Sequence, residues 1–432
     1  MLQATTSTGL QKTTSYKVVI PFYIFAALSF LLACVLLLLN TDVVQQHYFN
    51  PKTLSIAHLM ALGWGTMIIL GASHQLLPVM IEGKLDSDLL AYLSFFFAAA
   101  GIPLLVTGFY LFHTGWLLQS GAILVNAAVI FYLVNVISSI WESRRFNVHA
   151  CFMATSSLWL FGTTFFGLLL VFNFTKLWLP SNSLEYLSMH AHMGLAGWFL
   201  LMVLGVGSRL IPMFLISKYT NTKILWWIYA LVNVALTGFL ALKTFGRNEQ
   251  FYYAPFLLVL LALLLFARHC HKAFKLRIRK NVDEQMKVSL LSVALLFLPM
   301  LSLLLVIYFI TTGTHANMVL LYGFCIFFGW LTAIILGMTF KTLPFIVWNK
   351  VYHNKATGKT PAPKALFSGF LFRAMAILYL AGFILFANGI IILNDLLLKS
   401  GAVTLVASAL FYVFNVYKTV TYSNKKNGSN YQ

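Results

Sequence analysis

Long apolar runs alternate with short polar connections along the whole chain, and this pattern predicts membrane-spanning helices. A bilayer core needs about 20 mostly apolar residues per helix, and twelve runs meet that requirement. The connections at 113–115 and 388–389 are short, so neighbouring spans there could be fused or divided differently. We expect the twelve spans near 17–40, 55–80, 89–112, 116–141, 150–174, 186–215, 224–244, 251–268, 288–310, 317–344, 366–388 and 390–416.

The composition agrees with this pattern and excludes several classes of protein. Of the 432 residues, 60% are hydrophobic and only 9% are charged, whereas a soluble domain has about 25% charged residues. So few charges cannot cover a water-facing surface, which excludes a soluble enzyme and a disordered regulator. We predict an all-α polytopic membrane protein with one membrane domain over residues 1–432 and polar tails at 1–16 and 419–432.

The net charge of +19 is explained by membrane orientation. In the twelve-span arrangement only five Lys and Arg residues lie on one side, and the rest of the 29 lie on the other. The positive-inside rule therefore predicts that both termini are cytoplasmic. The partner implied by this charge is anionic membrane lipid, and not nucleic acid. The five residues on the sparse side are Lys52, Lys176, Lys243, Arg247 and Lys399.

A sequence repeat divides the chain into three units of four helices, near 17–141, 150–268 and 288–416. In every fourth span a tryptophan is followed seven residues later by glycine and seven residues after that by proline. The tryptophans are 134 and 132 residues apart. The three sets are Trp64, Gly71 and Pro78; Trp198, Gly205 and Pro212; and Trp330, Gly337 and Pro344.

This spacing places each set on one face of its helix, because seven residues make about two turns. The glycine allows a second helix or a flat cofactor to approach closely, and the proline can bend or stop the helix at its inner end. The alternative is that the stripe only sets helix packing.

Three or four residues before each proline lies a residue that can carry positive charge: His74, Arg209 and Lys341. One interpretation is that these side chains snorkel to the inner interface. The other is that they bind an anion or a haem propionate at the cytoplasmic mouth.

Two histidines occupy equivalent positions in the repeat, six residues before a tryptophan. They are His58 and His192, and Phe324 replaces them in the third unit. An ionisable side chain at membrane depth is costly and is a candidate for function, and neutral imidazole binds haem iron or copper. We therefore predict that His58 and His192 are metal ligands, with a purely structural, hydrogen-bonded role as the alternative.

Two further histidines are candidate cofactor ligands. His190 is two residues from His192, which on a helix places the two side chains about 200° apart. The pair cannot bind one ion together but could serve two sites on opposite faces. His315 begins a sequence similar to that around His190 and is expected at the same outer level. Every carboxylate falls in a connection or near a helix end, and none lies at mid-membrane depth, which argues against a proton-coupled transporter.

The topology and two segments resemble subunit I of the haem–copper oxidase superfamily, and most closely its nitric-oxide reductases and the NnrS-type proteins. The segments are residues 58–78, HLMALGWGTMIILGASHQLLP, and 190–212, HAHMGLAGWFLLMVLGVGSRLIP. The resemblance implies haem, with copper as a second cofactor, and a role in respiratory electron transfer or nitric-oxide handling. It implies a bacterial inner membrane, and respiratory subunits or a cytochrome as partners. It assigns low-spin haem ligation to His58.

The chain also departs from that family. The seventh span has no histidine for copper, and the His-x-His pair lies in the sixth span instead of the tenth. We therefore expect no complete haem–copper catalytic centre, and whether the protein is an enzyme stays open. The alternatives are a cofactor-free assembly subunit of a respiratory complex and a secondary transporter, whose folds also use internal repeats.

Overall fold

A computed structural model describes residues 14–144, 146–246, 249–310, 316–352 and 360–423. Within these ranges the protein is all-α, and twelve helices are long and apolar enough to cross a membrane. The predicted fold class and number of spans are therefore confirmed. The helices are α1 Tyr16–Leu39, α2 Pro51–Ile81, α3 Asp88–Tyr110, α4 Trp116–Ser143, α5 Val148–Asn173, α6 Leu187–Phe214, α7 Thr222–Thr244, α8 Gln250–Lys275, α9 Glu284–Phe309, α10 Asn317–Tyr352, α11 Gly369–Ile392 and α12 Asp395–Val420.

Polar caps define where most of these helices begin. In eight of them a Ser, Asn or Asp side chain accepts a hydrogen bond from a backbone N–H of the first turn, which would otherwise have no partner. The sequence therefore signals these starts directly. The caps are Ser15, Asn50, Ser87, Asn147, Asn221, Asp283, Ser368 and Asn394.

The predicted boundary between the last two spans is wrong. Helix α11 continues through Gly389 to Ile392, and the chain turns at Leu393, whose φ is 52°. Asn394 then caps α12 by accepting from the backbone N–H of Leu397. Gly389 is inside the helix because α12 packs closely against it, and a Cβ there would lie 2.9 Å from Leu398.

Helix α10 also extends beyond its predicted end at Pro344, to Tyr352. The extension has anchors of its own. The indole N–H of Trp348 donates to the carbonyl of Pro361 at 2.6 Å, and the Lys350 ammonium lies 4.9 Å from the centre of the Tyr16 ring. The proline therefore lies within this helix and does not stop it.

Helices α2, α6 and α10 form the inner part of the bundle. Between 67% and 72% of their apolar windows is buried, against at most 50% in every other span. We call the side of the bundle where these three helices begin the histidine side, and the opposite side the proline side. The stripe prolines Pro78, Pro212 and Pro344 lie toward the latter.

Each inner helix contains a π-helical segment at the same place in the repeat. The segments are Leu59–Thr66, Met193–Leu200 and Cys325–Leu331, and each contains the stripe tryptophan. Such wide turns are rare and occur often at functional sites. The sequence repeat is therefore also a structural one.

The stripe glycines bring the inner helices close to the first helix of their own unit. A Cβ added at any of them would lie less than 3.0 Å from an atom of that neighbour. The close contacts explain why a residue without a side chain occupies these positions. The neighbours are Phe22 of α1 for Gly71, Phe152 of α5 for Gly205, and Ser289 of α9 for Gly337.

The stripe tryptophans join the inner helices through hydrogen bonds to threonines. The indole N–H of Trp64 donates to Thr332 Oγ1 at 3.0 Å, and that of Trp198 donates to Thr66 Oγ1 at 3.0 Å. Each acceptor lies two residues after the tryptophan of its own helix. We call this the tryptophan ring; it connects α6 to α2 and α2 to α10.

The third connection of the tryptophan ring is not made. The position two residues after Trp198 is Leu200, which has no acceptor in its side chain. The indole N–H of Trp330 is buried and has no hydrogen-bond partner among the described residues. The ring is therefore open between α10 and α6.

The bond between Trp198 and Thr66 gives a stability prediction. We expect Thr66→Val to lower the free energy of unfolding by about 1–3 kcal/mol, because a buried indole N–H loses its acceptor. Thr404→Val is the control, since its hydroxyl bonds only within its own helix, to the carbonyl of Ser400. Unfolding of both variants in detergent tests this, and equal stability would contradict the role of the tryptophan ring.

Candidate functional site

Two cavities lie on the histidine side, one on each face of α6. The large cavity has a volume of about 680 Å³ and is enclosed mainly by α2 and by α6 to α10. The small cavity has a volume of about 200 Å³ and lies among α2 to α6. Most of the wall of each cavity is apolar, but polar side chains also line them, including Glu185 and Lys243 in the large cavity and Asn126 and Thr163 in the small one.

The small cavity contains two imidazoles from different helices. The ring centres of His58 on α2 and His190 on α6 are 6.2 Å apart, with 23° between the ring planes. The Nδ1 atom of His58 lies 2.7 Å from the carbonyl oxygen of Leu54. Because a carbonyl only accepts, Nδ1 carries the proton and Nε2 keeps its lone pair for a ligand.

The second imidazole lies in a space that only glycine leaves open. A Cβ at Gly167 of α5 would approach the His190 ring to 2.8 Å. The Nδ1 atom of His190 is buried and has no hydrogen-bond partner in the part of the chain that the structure describes. On the other side, Phe109 stacks on His58 with ring centres 4.6 Å apart.

His192 faces the large cavity. Its Nδ1 atom lies 2.7 Å from the carbonyl oxygen of Ser188, so this nitrogen also carries the proton. Its Nε2 atom lies 3.4 Å from the hydroxyl of Tyr322 on α10, which is therefore the donor. Phe239 of α7 packs beside the ring, with the centres 4.7 Å apart.

The structure brings His58 and His190 together and places His192 apart from them. His58 and His192 line different cavities, whereas His58 and His190 share one. His58 and His192 are at equivalent positions of a repeat whose units are arranged by rotation. Each therefore points in the same direction relative to its own helix, and the two side chains do not face each other. The expected separation of His190 and His192 onto opposite faces of α6 agrees with the two cavities. His315 lies outside the described residues.

The donor set can be compared with the needs of particular metals. Among the described residues no three His, Cys, Asp or Glu side chains come together. A structural or catalytic zinc site uses at least three protein ligands, so this chain does not offer one there. Haem iron requires only one or two axial side chains, which matches the His58–His190 pair.

The distance between the two ring centres can be compared with that of two imidazoles bound to one metal ion. Metal–imidazole bonds are about 2.0–2.1 Å long, so two imidazoles on opposite sides of one ion have ring centres about 6 Å apart. The observed separation of 6.2 Å between the ring centres is close to this value. The unpartnered His190 nitrogen and this separation meet the protein-ligand requirement of a haem iron, and the small cavity has a volume of about 200 Å³.

Two of the basic residues near the prolines are bound to neighbouring groups. Arg209 donates to the carbonyl of Met80 at 3.1 Å and lies 3.8 Å from the Glu82 carboxylate. Lys341 pairs with the carboxylate of Asp283, which caps α9. These contacts tie both side chains to neighbouring helix ends.

His74 does not snorkel. It is 1% exposed and packs between the rings of Phe22 and Tyr132, each with its centre 5.5 Å away. The snorkelling interpretation is therefore wrong for His74, because Phe22 and Tyr132 enclose its imidazole inside the first unit.

Several residues of the cavities were not anticipated from the sequence. Tyr322 and Phe109 are ordinary members of apolar helices and give no signal there. Gly167 lies outside the repeated stripe. Trp330 belongs to the repeated stripe, and the sequence sign of its missing acceptor is Leu200, which interrupts the Trp-x-Thr pattern of the other two inner helices.

No protein-family model matches the sequence, and no curated protein is significantly similar to it.

Proposed function

We propose that this chain is an integral membrane haem-binding protein in which His58 and His190 are the two axial ligands. The observation that carries the proposal is the pair of imidazoles 6.2 Å apart in a mostly apolar cavity. Haem would supply a one-electron carrier, and both imidazoles would serve to hold it. Respiratory electron transfer is therefore the role that this geometry favours over nitric-oxide handling.

The surrounding residues have defined tasks in this proposal. The carbonyl of Leu54 holds the His58 ring in one orientation and makes its Nε2 a stronger ligand. Phe109 and the apolar cavity walls exclude water, which controls the potential of a bound metal. Gly167 gives the His190 ring the space that it needs.

The proposal includes an orientation. The side rich in Lys and Arg is the proline side, so we place both termini in the cytoplasm and the histidines near the outer face of a bacterial inner membrane. A cytochrome or another respiratory subunit would then meet the protein on the histidine side.

The size of the small cavity supports a second candidate. Its 200 Å³ is below the range of about 300–1,000 Å³ typical of sites for organic ligands. A bare copper ion needs much less space than a porphyrin, and imidazole is a good ligand for copper. The same two histidines would then hold copper alone.

An optical spectrum and a metal analysis of the full chain, purified from haem-replete cells, separate these candidates. We expect one haem per chain and the bands of six-coordinate low-spin iron, unchanged by carbon monoxide. Copper without a Soret band would favour the second candidate. A protein with neither haem nor copper would overturn the proposal.

A further inference from the structure

The threefold repeat gives the His58–His190 pair a counterpart between the next two inner helices. His58 lies six residues before the stripe tryptophan of α2, and His190 lies eight residues before that of α6. Between α6 and α10 the residues with these spacings are His192 and Tyr322. The small cavity contains the first pair and the large cavity contains the second. The two pairs are therefore related by the repeat, with a tyrosine in place of one imidazole.

The geometry of the two pairs is nearly the same. The ring centres of His192 and Tyr322 are 5.9 Å apart with 23° between the ring planes, against 6.2 Å and 23° for the first pair. His58 and His192 each have Nδ1 at 2.7 Å from the carbonyl oxygen four residues earlier. A phenylalanine of the following helix lies beside each of these imidazoles, with ring centres 4.6 Å and 4.7 Å apart. The large cavity thus repeats the arrangement of the small one.

The two pairs differ in what lies opposite the Nε2 lone pair. In the large cavity the Tyr322 hydroxyl lies 3.4 Å from His192 Nε2 and donates to it. A metal ion binds an imidazole nitrogen at about 2.0–2.1 Å. On the line between the two atoms it would then lie only about 1.3–1.4 Å from the hydroxyl oxygen, whereas metal–oxygen bonds are about 2.0–2.2 Å long. The hydroxyl therefore occupies the position that a metal would need.

We propose that the large cavity contains a second copy of the metal site, and that Tyr322 is the residue that keeps metal out of it. This inference rests on the proposed function of the small cavity. Tyr322 fills the metal position and presents a donor where a ligand needs a lone pair. At the third junction, between α10 and α2, the equivalent residues are Phe324 and Ile56, which have no ligand atom. The chain then holds a single metal, between α2 and α6.

Exchanging the residue that distinguishes the two copies tests this proposal. Tyr322→His gives the large cavity the imidazole that the small cavity has at the same position, and histidine is smaller than tyrosine. Tyr322→Phe is the matched control, because it removes the hydroxyl, keeps a ring and supplies no ligand atom. Tyr322→His combined with His192→Ala removes the other half of the new pair.

The measurements are the iron and copper content and the optical spectrum of the full chain, purified from cells supplied with haem and copper. Iron with a Soret band identifies haem, and copper without one identifies the bare ion. We expect Tyr322→His to contain about twice as much metal as the parent, because each metal needs one imidazole pair. Tyr322→Phe and the combined variant are expected to equal the parent. The thermal midpoint of each variant shows whether it is folded.

The reciprocal variant His190→Tyr keeps the test decisive if Tyr322→His does not fold. It places a phenol opposite His58, as in the large cavity. We expect it to contain no metal held by two imidazoles, and added imidazole is expected not to restore one, because the phenol fills the metal position. Rescue of His190→Tyr by imidazole to the same extent as His190→Ala would overturn the blocking role of the phenol.

Other outcomes would also overturn the proposal. Folded Tyr322→His with the metal content of the parent, or a gain that persists in the combined variant, would show that the large cavity is not a copy of the site. A gain in Tyr322→Phe would show that two imidazoles are not required there. A parent with neither haem nor copper overturns the proposed function, whereas a parent whose metal is lost in His190→Ala, with no gain in Tyr322→His, overturns only this inference.

Discussion

His58→Ala and His190→Ala are each expected to abolish the low-spin haem spectrum. Each change removes one of two axial bonds, so the variant either loses haem or retains a five-coordinate high-spin form. In haem-retaining His190→Ala protein, added imidazole should restore the low-spin bands, because it can occupy the vacated space beside Gly167. Optical spectra and haem content per chain measure both effects.

Two controls make the ligand assignment specific. His113→Ala changes an exposed histidine between α3 and α4, and His192→Ala changes the imidazole of the other cavity. Both should keep the low-spin spectrum. If His192→Ala loses it while His190→Ala keeps it, the assignment to His58 and His190 is wrong and His192 is a ligand instead.

Gly337→Ala is expected to destabilise the protein strongly for so small a change. The added methyl group would lie 2.8 Å from the backbone carbonyl of Gln285 and 2.8 Å from the backbone nitrogen of Ser289. Backbone atoms cannot rotate away, so α9 and α10 must separate, at a cost of about 1–3 kcal/mol. The unfolding midpoint in a detergent and denaturant titration gives the measurement.

The matched control is Gly238→Ala on α7, where the added methyl group meets nothing within 4 Å. Alanine favours a helix over glycine by up to about 1 kcal/mol, so this variant should be as stable as the parent or slightly more so. Equal midpoints for the two variants would contradict the close packing of α9 against α10.

Most of the architecture could be predicted because the bilayer imposes long apolar segments and the polar caps mark their ends. The wrong predictions concern helix ends, where a residue that often ends a helix is kept inside one by its packing. Gly389 looks like a helix end in sequence, yet it lies within α11 because α12 approaches it closely. Pro344 looks like a stop, yet α10 continues for two more turns with anchors from Trp348 and Lys350.

The candidate site was predicted only in part, for a geometric reason. Sequence shows that His58 and His192 occupy equivalent positions, but equivalence under a threefold repeat means similar surroundings and not mutual contact. Which imidazole meets His58 depends on how α6 turns against α2, and that is decided by packing around Gly167. The hydroxyl of Tyr322 in the third unit contacts His192 in the second unit. No sequence pattern within one unit indicates this contact between units.

The three π-helical segments have a consequence for how such a bundle can diversify. A π-turn accommodates a residue more than an α-turn does, and one residue corresponds to about 100° of rotation about the axis. The π-helical segment thus divides each inner helix into two halves, and the rotation of one half about the helix axis can differ from that of the other. A change in one of these segments can rotate the half that carries the histidines while the glycine contacts of the other half are kept. The segments are Leu59–Thr66, Met193–Leu200 and Cys325–Leu331.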